Sequence, residues 1–507
     1  MNLRTIAASM TFLSLAAACA PVSATPSTAA RPSRTMESLP TAEANAALPY
    51  SIVDTEQSKC YDVQSEVACG QTSMSGQDAQ YAGSQPRYQD NGDGTVTDLN
   101  TGLMWQADPG AKMTYAQAVE GASTFRLAGY DDWRLPSVKE LYSLILFDGT
   151  DASSCLGTCT LTPFIDTRYF AFSYGDEGAG ERVIDSQFVT STRYVSTTMN
   201  GSDTVFGVNF ADGRIKGYPA GAMPGQPSGK LFYVLSVRGD PEYGQNLFVD
   251  NGDGTIIDQA TGLTWMQTDS GEGMDWPQAL AYCENATAAG QSDWRLPNAK
   301  ELQSIVDYSR SPDTSNSAAI DPLFETTAIT NEAGQKDYPF YWTSTTHANS
   351  AGSGAYAAYV SFGRAMGYMG NAWIDVHGAG AQRSDPKTGD ASAFPEGHGP
   401  QGDAVRIQNY VRCVRGGAAV ASGDDSPSAA RPTMTIESNG VQQGQPGGNN
   451  APRGAQRTGQ QPPQAAINAC AGAAVQSACE FQGPNGPVSG TCVQIQQQLA
   501  CAPRNAP

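Results

Sequence analysis

Two short acidic turns are the first places in this chain where residue type and spacing could do chemistry. Asp90, Asp93 and Asp98 lie in the run Asp90-Asn91-Gly92-Asp93-Gly94-Thr95-Val96-Thr97-Asp98. Asp250, Asp253 and Asp258 take the same places in Asp250-Asn251-Gly252-Asp253-Gly254-Thr255-Ile256-Ile257-Asp258. Three carboxylates in a tight, glycine-rich turn suit a hard cation with oxygen ligands, calcium above all. The spacing is not that of an EF-hand loop, because glycine fills the third position and no terminal bidentate glutamate follows. The same residues also suit a hairpin in which each aspartate accepts hydrogen bonds from local backbone amides.

His347, His377 and His398 are the three histidines of the chain. By type they would suit zinc. They are widely spaced, with no His-x-His pair, and read as exposed loop residues. Residues about 371–408 have no counterpart earlier in the chain, and a long loop in a compact domain is more often functional or disordered than neutral. Within it, Trp373, His377, Arg383 and Asp385 offer aromatic stacking and hydrogen bonding for a sugar or a peptide. The alternative is a surface flap that Trp373 packs down. No Gly-x-Ser-x-Gly elbow, phosphate loop or His-Glu-x-x-His motif occurs. Nothing in the sequence sets two carboxylates across a cleft. An enzyme is therefore not expected.

The elements that must position these residues come from an internal repeat. After each acidic turn follow Thr101-Gly102-Leu103-Met104-Trp105 and Thr261-Gly262-Leu263-Thr264-Trp265. Next come Asp132-Trp133-Arg134-Leu135-Pro136 and Asp293-Trp294-Arg295-Leu296-Pro297, then Lys139-Glu140-Leu141 and Lys300-Glu301-Leu302. Thr190-Ser191-Thr192 matches Thr343-Ser344-Thr345, and Gly213-Arg214 with Gly217-Tyr218 matches Gly363-Arg364 with Gly367-Tyr368. Both copies close on Val-Arg-Gly, at Val237–Gly239 and Val414–Gly416. Within a copy, Asn-Gly and Asp-Gly beside a β-branched run predict a hairpin. Ala116–Ala122 and Pro277–Ala286 read as helices. Ser137 with Glu140 and Asn298 with Glu301 have the form of capping boxes that open a second helix in each copy. Its buried face is Val138, Leu141 and Ile145, or Ala299, Leu302 and Val306. The rest reads as short strands and long loops. Trp105, Trp133, Trp265 and Trp294 sit in the repeated blocks and read as core.

The first nineteen residues join Arg4 to a short apolar run and end Leu15-Ala16-Ala17-Ala18-Cys19. That ending resembles a bacterial lipobox with its leucine one place upstream of the usual position, so Cys19 is the expected lipidation site. Ordinary signal-peptide cleavage is the alternative. The absence of Asp after Cys19 points to the outer membrane, facing outward or into the periplasm. Setting Cys19 aside leaves an even number of the eleven cysteines, and an oxidising compartment favours disulfides. Cys60 with Cys69 and Cys155 with Cys159 are close in sequence. Cys283 and Cys413 fall at places where the first copy has Ala122 and Ser236. Both are missing together there, which predicts that they bond to each other. Cys470, Cys479, Cys492 and Cys501 allow three connectivities. The formal charge of −20 repels polyanions, so nucleic acid is a poor partner.

With these blocks in hand, the sequence resembles the family of the C-terminal domain of the Legionella collagen-like adhesin. The carriers are the D-N-G-D-G-T-V-T-D and T-G-L-M-W blocks, D-W-R-L-P-x-x-K-E-L, Y-W-T-S-T, and Tyr410-Val411-Arg412-Cys413-Val414-Arg415. The resemblance covers residues about 86–240 and 247–417. It implies a C-type-lectin-like fold and a role in attachment. The glycosaminoglycan ligand of the namesake does not suit so acidic a chain. A distant kinship to formylglycine-generating enzymes would imply an oxidase with paired copper-binding cysteines. Here Cys413 already has a partner and Ser236 stands at the matching place.

The expectation is an α+β protein. Residues 1–19 are a signal peptide, 20–48 a tether, 49–240 and 241–417 two tandem C-type-lectin-like domains, 418–466 a disordered linker, and 467–507 a four-cysteine module. Its expected work is recognition or adhesion at the cell envelope, with a glycan or protein ligand and a lipid anchor in the membrane. The alternative is a structural component of an envelope assembly.

Overall fold

The computed structural model describes residues 48–223, 228–421, 430–439, 464–475, 477–483, 486–495 and 498–503. Cys19, the signal peptide and nearly all of the expected tether lie outside the described residues. Among the described residues no helix is long and apolar enough to cross a membrane.

The first copy opens with β1 (Tyr88–Asp90), β2 (Thr95–Asp98) and β3 (Met104–Gln106), then α1 (Tyr115–Ala122) and α2 (Val138–Tyr142). After β4 (Gly157–Leu161) come the longer strands β5 (Gln187–Thr198), β6 (Ser202–Asn209) and β7 (Arg214–Pro219), and the copy closes on β8 (Val237–Arg238). The second copy runs β9 (Phe248–Asp250), β10 (Thr255–Asp258), β11 (Leu263–Met266), α3 (Trp276–Glu284), α4 (Ala299–Ser304), β12 (Phe340–His347) and β13 (Tyr356–Ser361). It continues through β14 (Met366–Met369), β15 (Ala372–Asp375), β16 (Gln382–Pro386) and β17 (Val414–Arg415).

The repeated blocks recur because they bond to one another. In each copy the acidic turn joins two strands in the same register, Asp90 opposite Val96 and Asp250 opposite Ile256. The buried tryptophan of the next strand then pairs with the closing valine, Trp105 with Val237 and Trp265 with Val414. The Asp-Trp-Arg block lies on the other side of that closing strand. Arg134 and Val237 exchange both backbone hydrogen bonds, as do Arg295 and Val414. Asp132 accepts two bonds from Arg238, and Asp293 two from Arg415.

Arg134 makes a two-pronged contact with Glu140 at 2.7 and 2.5 Å, and Arg295 makes the same contact with Glu301 at 2.6 Å twice. Each glutamate is also the third residue of a capping box, so one carboxylate starts the helix and fixes the arginine. The Thr-Ser-Thr strand completes the helix start. Thr192 Oγ1 accepts from the Val138 amide and Thr345 Oγ1 from the Ala299 amide, two donors that have no partner inside a helix.

The two copies do not close separate cores. Strands β12, β13 and β16 of the second copy and β7, β6 and β5 of the first form one six-stranded sheet in that order. The largest buried cluster includes Trp105, Leu141, Phe164 and Phe206 together with Trp265, Leu302, Tyr341 and Val360. Two smaller cores pack under α1 and α3, the latter around the Cys283–Cys413 disulfide.

The chain before β1 threads between the copies. The Gln57 amide donates to Phe147 O in one copy and Thr346 O in the other. Sequence order places residues 60–81, which hold the Cys60–Cys69 disulfide, with the first copy, but they bond the second. Asp78 accepts from Thr345, Tyr81 donates to Glu284, and Asp62 O accepts from Lys387.

Three departures from expectation stand out, two of them within the second copy and one beyond it. The stretch read as a disordered linker contains β18 (Met434–Ser438), which pairs with β4 of the first copy. Residues 422–429 and 440–463 of that stretch lie outside the described residues. The inserted stretch 371–408 is not a surface flap, because β16 enters the six-stranded sheet beside β13. The repeated Gly363–Tyr368 block therefore does not fill the place of Gly213–Tyr218, which lies in β7. It forms the separate hairpin β14–β15 instead.

At the C-terminus, α5 (Gln464–Asn468) precedes the three-stranded sheet β19 (Ala478–Gly483), β20 (Gly486–Ile495) and β21 (Gln498–Pro503). Its disulfides are Cys470–Cys492 and Cys479–Cys501, one of the three connectivities the spacing allows. Cys60–Cys69 and Cys155–Cys159 are also bonded.

Candidate functional site

The acidic turns spend their carboxylates on their own backbone. Asp90 Oδ1 accepts from the Gly92 amide, and Asp93 Oδ1 from both the amide and the hydroxyl of Thr95. Asp250 and Asp253 repeat these bonds with Gly252 and Thr255. Gly92 and Gly94 have φ of 73° and 86°, a left-handed backbone that glycine adopts without strain. Asp98 and Asp258 are buried at the next turn, where Asp98 accepts from the amides of Asn100 and Thr101, and Asp258 from those of Leu247 and Ala260. The three carboxylates of a turn do not converge, so the calcium reading gives way to the hairpin. Among the described residues the one gathering of three possible ligand atoms is Cys470, Cys479 and Cys501, whose sulfurs are already in disulfides.

Three of the four residues expected to touch a ligand are buried on or beside β16, the strand that joins the copies. His377 faces Asp403 at 3.1 Å through Nε2, and Arg383 bonds the other oxygen of the same carboxylate. Asp385 accepts from the amides of Arg406 and Ile407 and from the Asn409 side chain. Each is under a tenth exposed, so these groups hold the 403–409 segment against β16 and do not face solvent. Burial, with Arg383 and Lys216 adding to it, holds the His377 imidazole well below its usual range.

The same seam contains further charged residues, Arg214 of a repeated block and His347 of the three histidines among them. Arg214 of β7 bonds Asp151 at 2.8 Å, and Lys216 bonds Asp212. His347, at the end of β12, stacks on Phe164 of the first copy, and its Nε2 lies 2.9 Å from Asp212 O. Burial, then Arg214, push its imidazole down to about 4. Burial lowers Lys216 to about 7 despite its partner. Burial works against the Asp151 carboxylate, but Arg214 and His347 outweigh it and hold it low. Of the histidines read as exposed, only His398 is. Desolvation offsets much of the attraction in such buried pairs, so their presence is weak evidence of added stability.

Trp373 is the one residue of the expected set that reaches the surface. It stands on β15 opposite Tyr368 of β14, ring centroids 5.4 Å apart and edge to face, both rings half-buried. Gly370 and Asn371 turn the hairpin with φ of 61° each, the conformation of a type I′ turn. The hairpin rests on the first copy: Tyr194 donates to Asp375 Oδ2 at 3.0 Å, and the Met199 amide to Asp375 O at 2.8 Å. Burial pushes the Asp375 carboxyl up to about 7. A second surface feature is a cavity of about 350 Å³ between residues 173–178 and Val183 of the first copy and Met434, Ile436 and Glu437 of β18.

These features define a class: a tandem-repeat module with mixed helix and strand, fused through one sheet, whose repeated blocks serve its architecture within each copy. The model of the Lcl C-terminal domain family matches residues 94–232 and 254–377, together just over half of the chain, and the chain belongs to that family. The chain has no match among curated proteins or solved structures. The second matched stretch ends at His377, before β16.

Proposed function

We propose that this protein is an adhesin-like recognition module of the cell envelope, with a neutral glycan or a protein as its ligand and the β14–β15 hairpin as its contact. Family membership supports the adhesive role. The observation that carries the location is the half-exposed Tyr368–Trp373 pair on a hairpin the first copy lacks. Aromatic faces supply large, rigid contact area, and Trp and Tyr dominate recognition surfaces for that reason. The charge of −20 favours an uncharged or cationic ligand over a polyanion. Each copy reads as a variant of the C-type-lectin-like fold, since two helices flank antiparallel strands and the closing strand pairs near the start of the copy. Lipidation at Cys19 and an outer-membrane location complete the reading. Binding without turnover is part of it, because the polar groups at the seam are buried away from solvent.

The test is a glycan array and a pull-down from envelope extracts with the full chain and its Trp373→Ala variant. A ligand bound by the natural chain and lost from Trp373→Ala, with the melting temperature unchanged, supports the reading. A ligand retained at full strength by the variant removes the hairpin from it.

A further inference from the structure

The stretch after the second copy reads by composition as a linker, yet ten residues of it are docked on the first copy through three separate devices. The first is Arg431, whose side chain is 1% exposed. It bonds both oxygens of Asp148, donates to the carbonyls of Pro163 and Ile165 at 2.7 and 2.8 Å, and lies 3.5 Å from Glu56. The second is strand pairing along the whole of β18, from Met434 opposite Leu161 to Ser438 opposite Gly157. Alternate residues Met434 and Ile436 pack on the main core, while Thr435 and Glu437 meet Thr160 and Thr158 on the outer side. The third is Glu177, which accepts from the Ser438 hydroxyl and from both nitrogens of Asn439.

The acceptor side, Glu56, Asp148, β4 and Glu177, belongs wholly to the body of the molecule. The donor is one extended segment of sequence Arg-Pro-Thr-Met-Thr-Ile-Glu-Ser-Asn. Ser422 to Ala429, a stretch of Ser, Gly, Asp, Pro and Ala, joins it to the second copy. Eight residues reach at most roughly 29 Å when extended.

We propose that the β4 site is a strand-exchange site between two copies of this chain, each able to receive residues 430–439 of the other. Every contact described is the same whether the donor comes from the same chain or from a second one, so exchange loses no bond. The balance is set by effective concentration, on the order of millimolar for a short connection, against the local concentration of chains. Exchange of an identical element is a low-cost route to dimers. Chains crowded on a surface are where the second arrangement gains ground. Withdrawing a buried arginine and unpairing five residues makes the interchange slow.

Thr160 and Thr435 are cross-strand partners with hydroxyls 3.4 Å apart, so cysteines there are placed to bond. Full-length Thr160→Cys chains are mixed with differently tagged full-length Thr435→Cys chains, incubated near millimolar concentration, diluted, oxidised and resolved without reductant. Only exchange brings these two positions together. The expected result is heterodimer at least about five times as abundant as either homodimer. Heterodimer below that level, down to the excess that random pairing of equal amounts gives, overturns the proposal. Light scattering on the unsubstituted chain is the second readout. A dimer that grows with concentration and is lost when residues 430–439 are deleted supports exchange, and a monomer at every concentration, or a dimer that survives the deletion, overturns it.

Discussion

Ile215 of the first copy and Gln382 of the second are cross-strand partners, and this one pairing joins two three-stranded sheets into one. Tyr142 of α2 donates to the Gln382 side chain at 3.2 Å, so the helix of one copy grips the strand of the other at the joint.

A fused core predicts one unfolding transition. Leu302 is fully buried in the cluster that spans both copies, and Leu302→Ala is expected to cost about 2–5 kcal/mol. Calorimetry should show the transition that contains both copies moving down as a unit. Two separate transitions, with only one displaced, would mean that the copies melt independently.

The Cys283–Cys413 disulfide closes a loop with a sequence separation of 130. Replacing both cysteines with alanine is expected to lower stability by about 3–5 kcal/mol, mostly by releasing constraint on the unfolded chain. Urea unfolding under non-reducing conditions measures it. A loss under 1 kcal/mol would contradict the loop-closure account.

Two buried groups give opposite pH dependence. His347 is held down to about 4, so its neutral form is favoured in the fold. Stability it contributes is complete above its ordinary range near 6.5 and is lost as pH falls toward 4. Asp78 is pushed up to about 7, by burial first and then by Asp54. Its contribution is complete below about 4 and is lost as pH rises toward 7. His347→Gln should therefore flatten the fall in melting temperature on the acid side. Asp78→Asn, which keeps an acceptor for Thr55 and Thr345, should flatten the fall between pH 4 and 7. If either variant keeps the slope of the natural chain, that group is not its source.

The acidic turns should be indifferent to calcium. Asp93→Ala removes two local bonds and is expected to cost about 1 kcal/mol, the same with calcium or with a chelator. A calcium-dependent rise in melting temperature that Asp93→Ala abolishes would restore the metal site.

Sequence made legible whatever bonds locally or recurs. The acidic hairpins, the capping boxes of Ser137 and Asn298, and the link between Cys283 and Cys413 all follow from residues whose partners repeat at matching places. What could not be read depends on partners in the other copy. Nothing in the sequence near His347 points to Phe164 or Asp212, and Arg431 carries no mark of Asp148, which lies 283 residues away. His377, Arg383 and Asp385 looked like a binding loop because they stand in an unmatched, polar stretch. Burial at the seam turned the same polarity into ion pairs. Trp373 alone kept the expected exposure.

Gln57 bonds the backbone of both copies, and Arg431 bonds the first copy from beyond the second. A ribosome or a translocation channel delivers this chain from its N-terminus, so the earliest segment must wait for residues near 346 before it has a place to settle. The edge of β4 stays open until residues near 438 arrive. Maturation is thus loaded toward the end of delivery. A chain cut short anywhere before Arg431 would carry an uncovered strand edge and an unneutralised Asp148, two marks by which quality-control proteases could tell an unfinished molecule from a finished one.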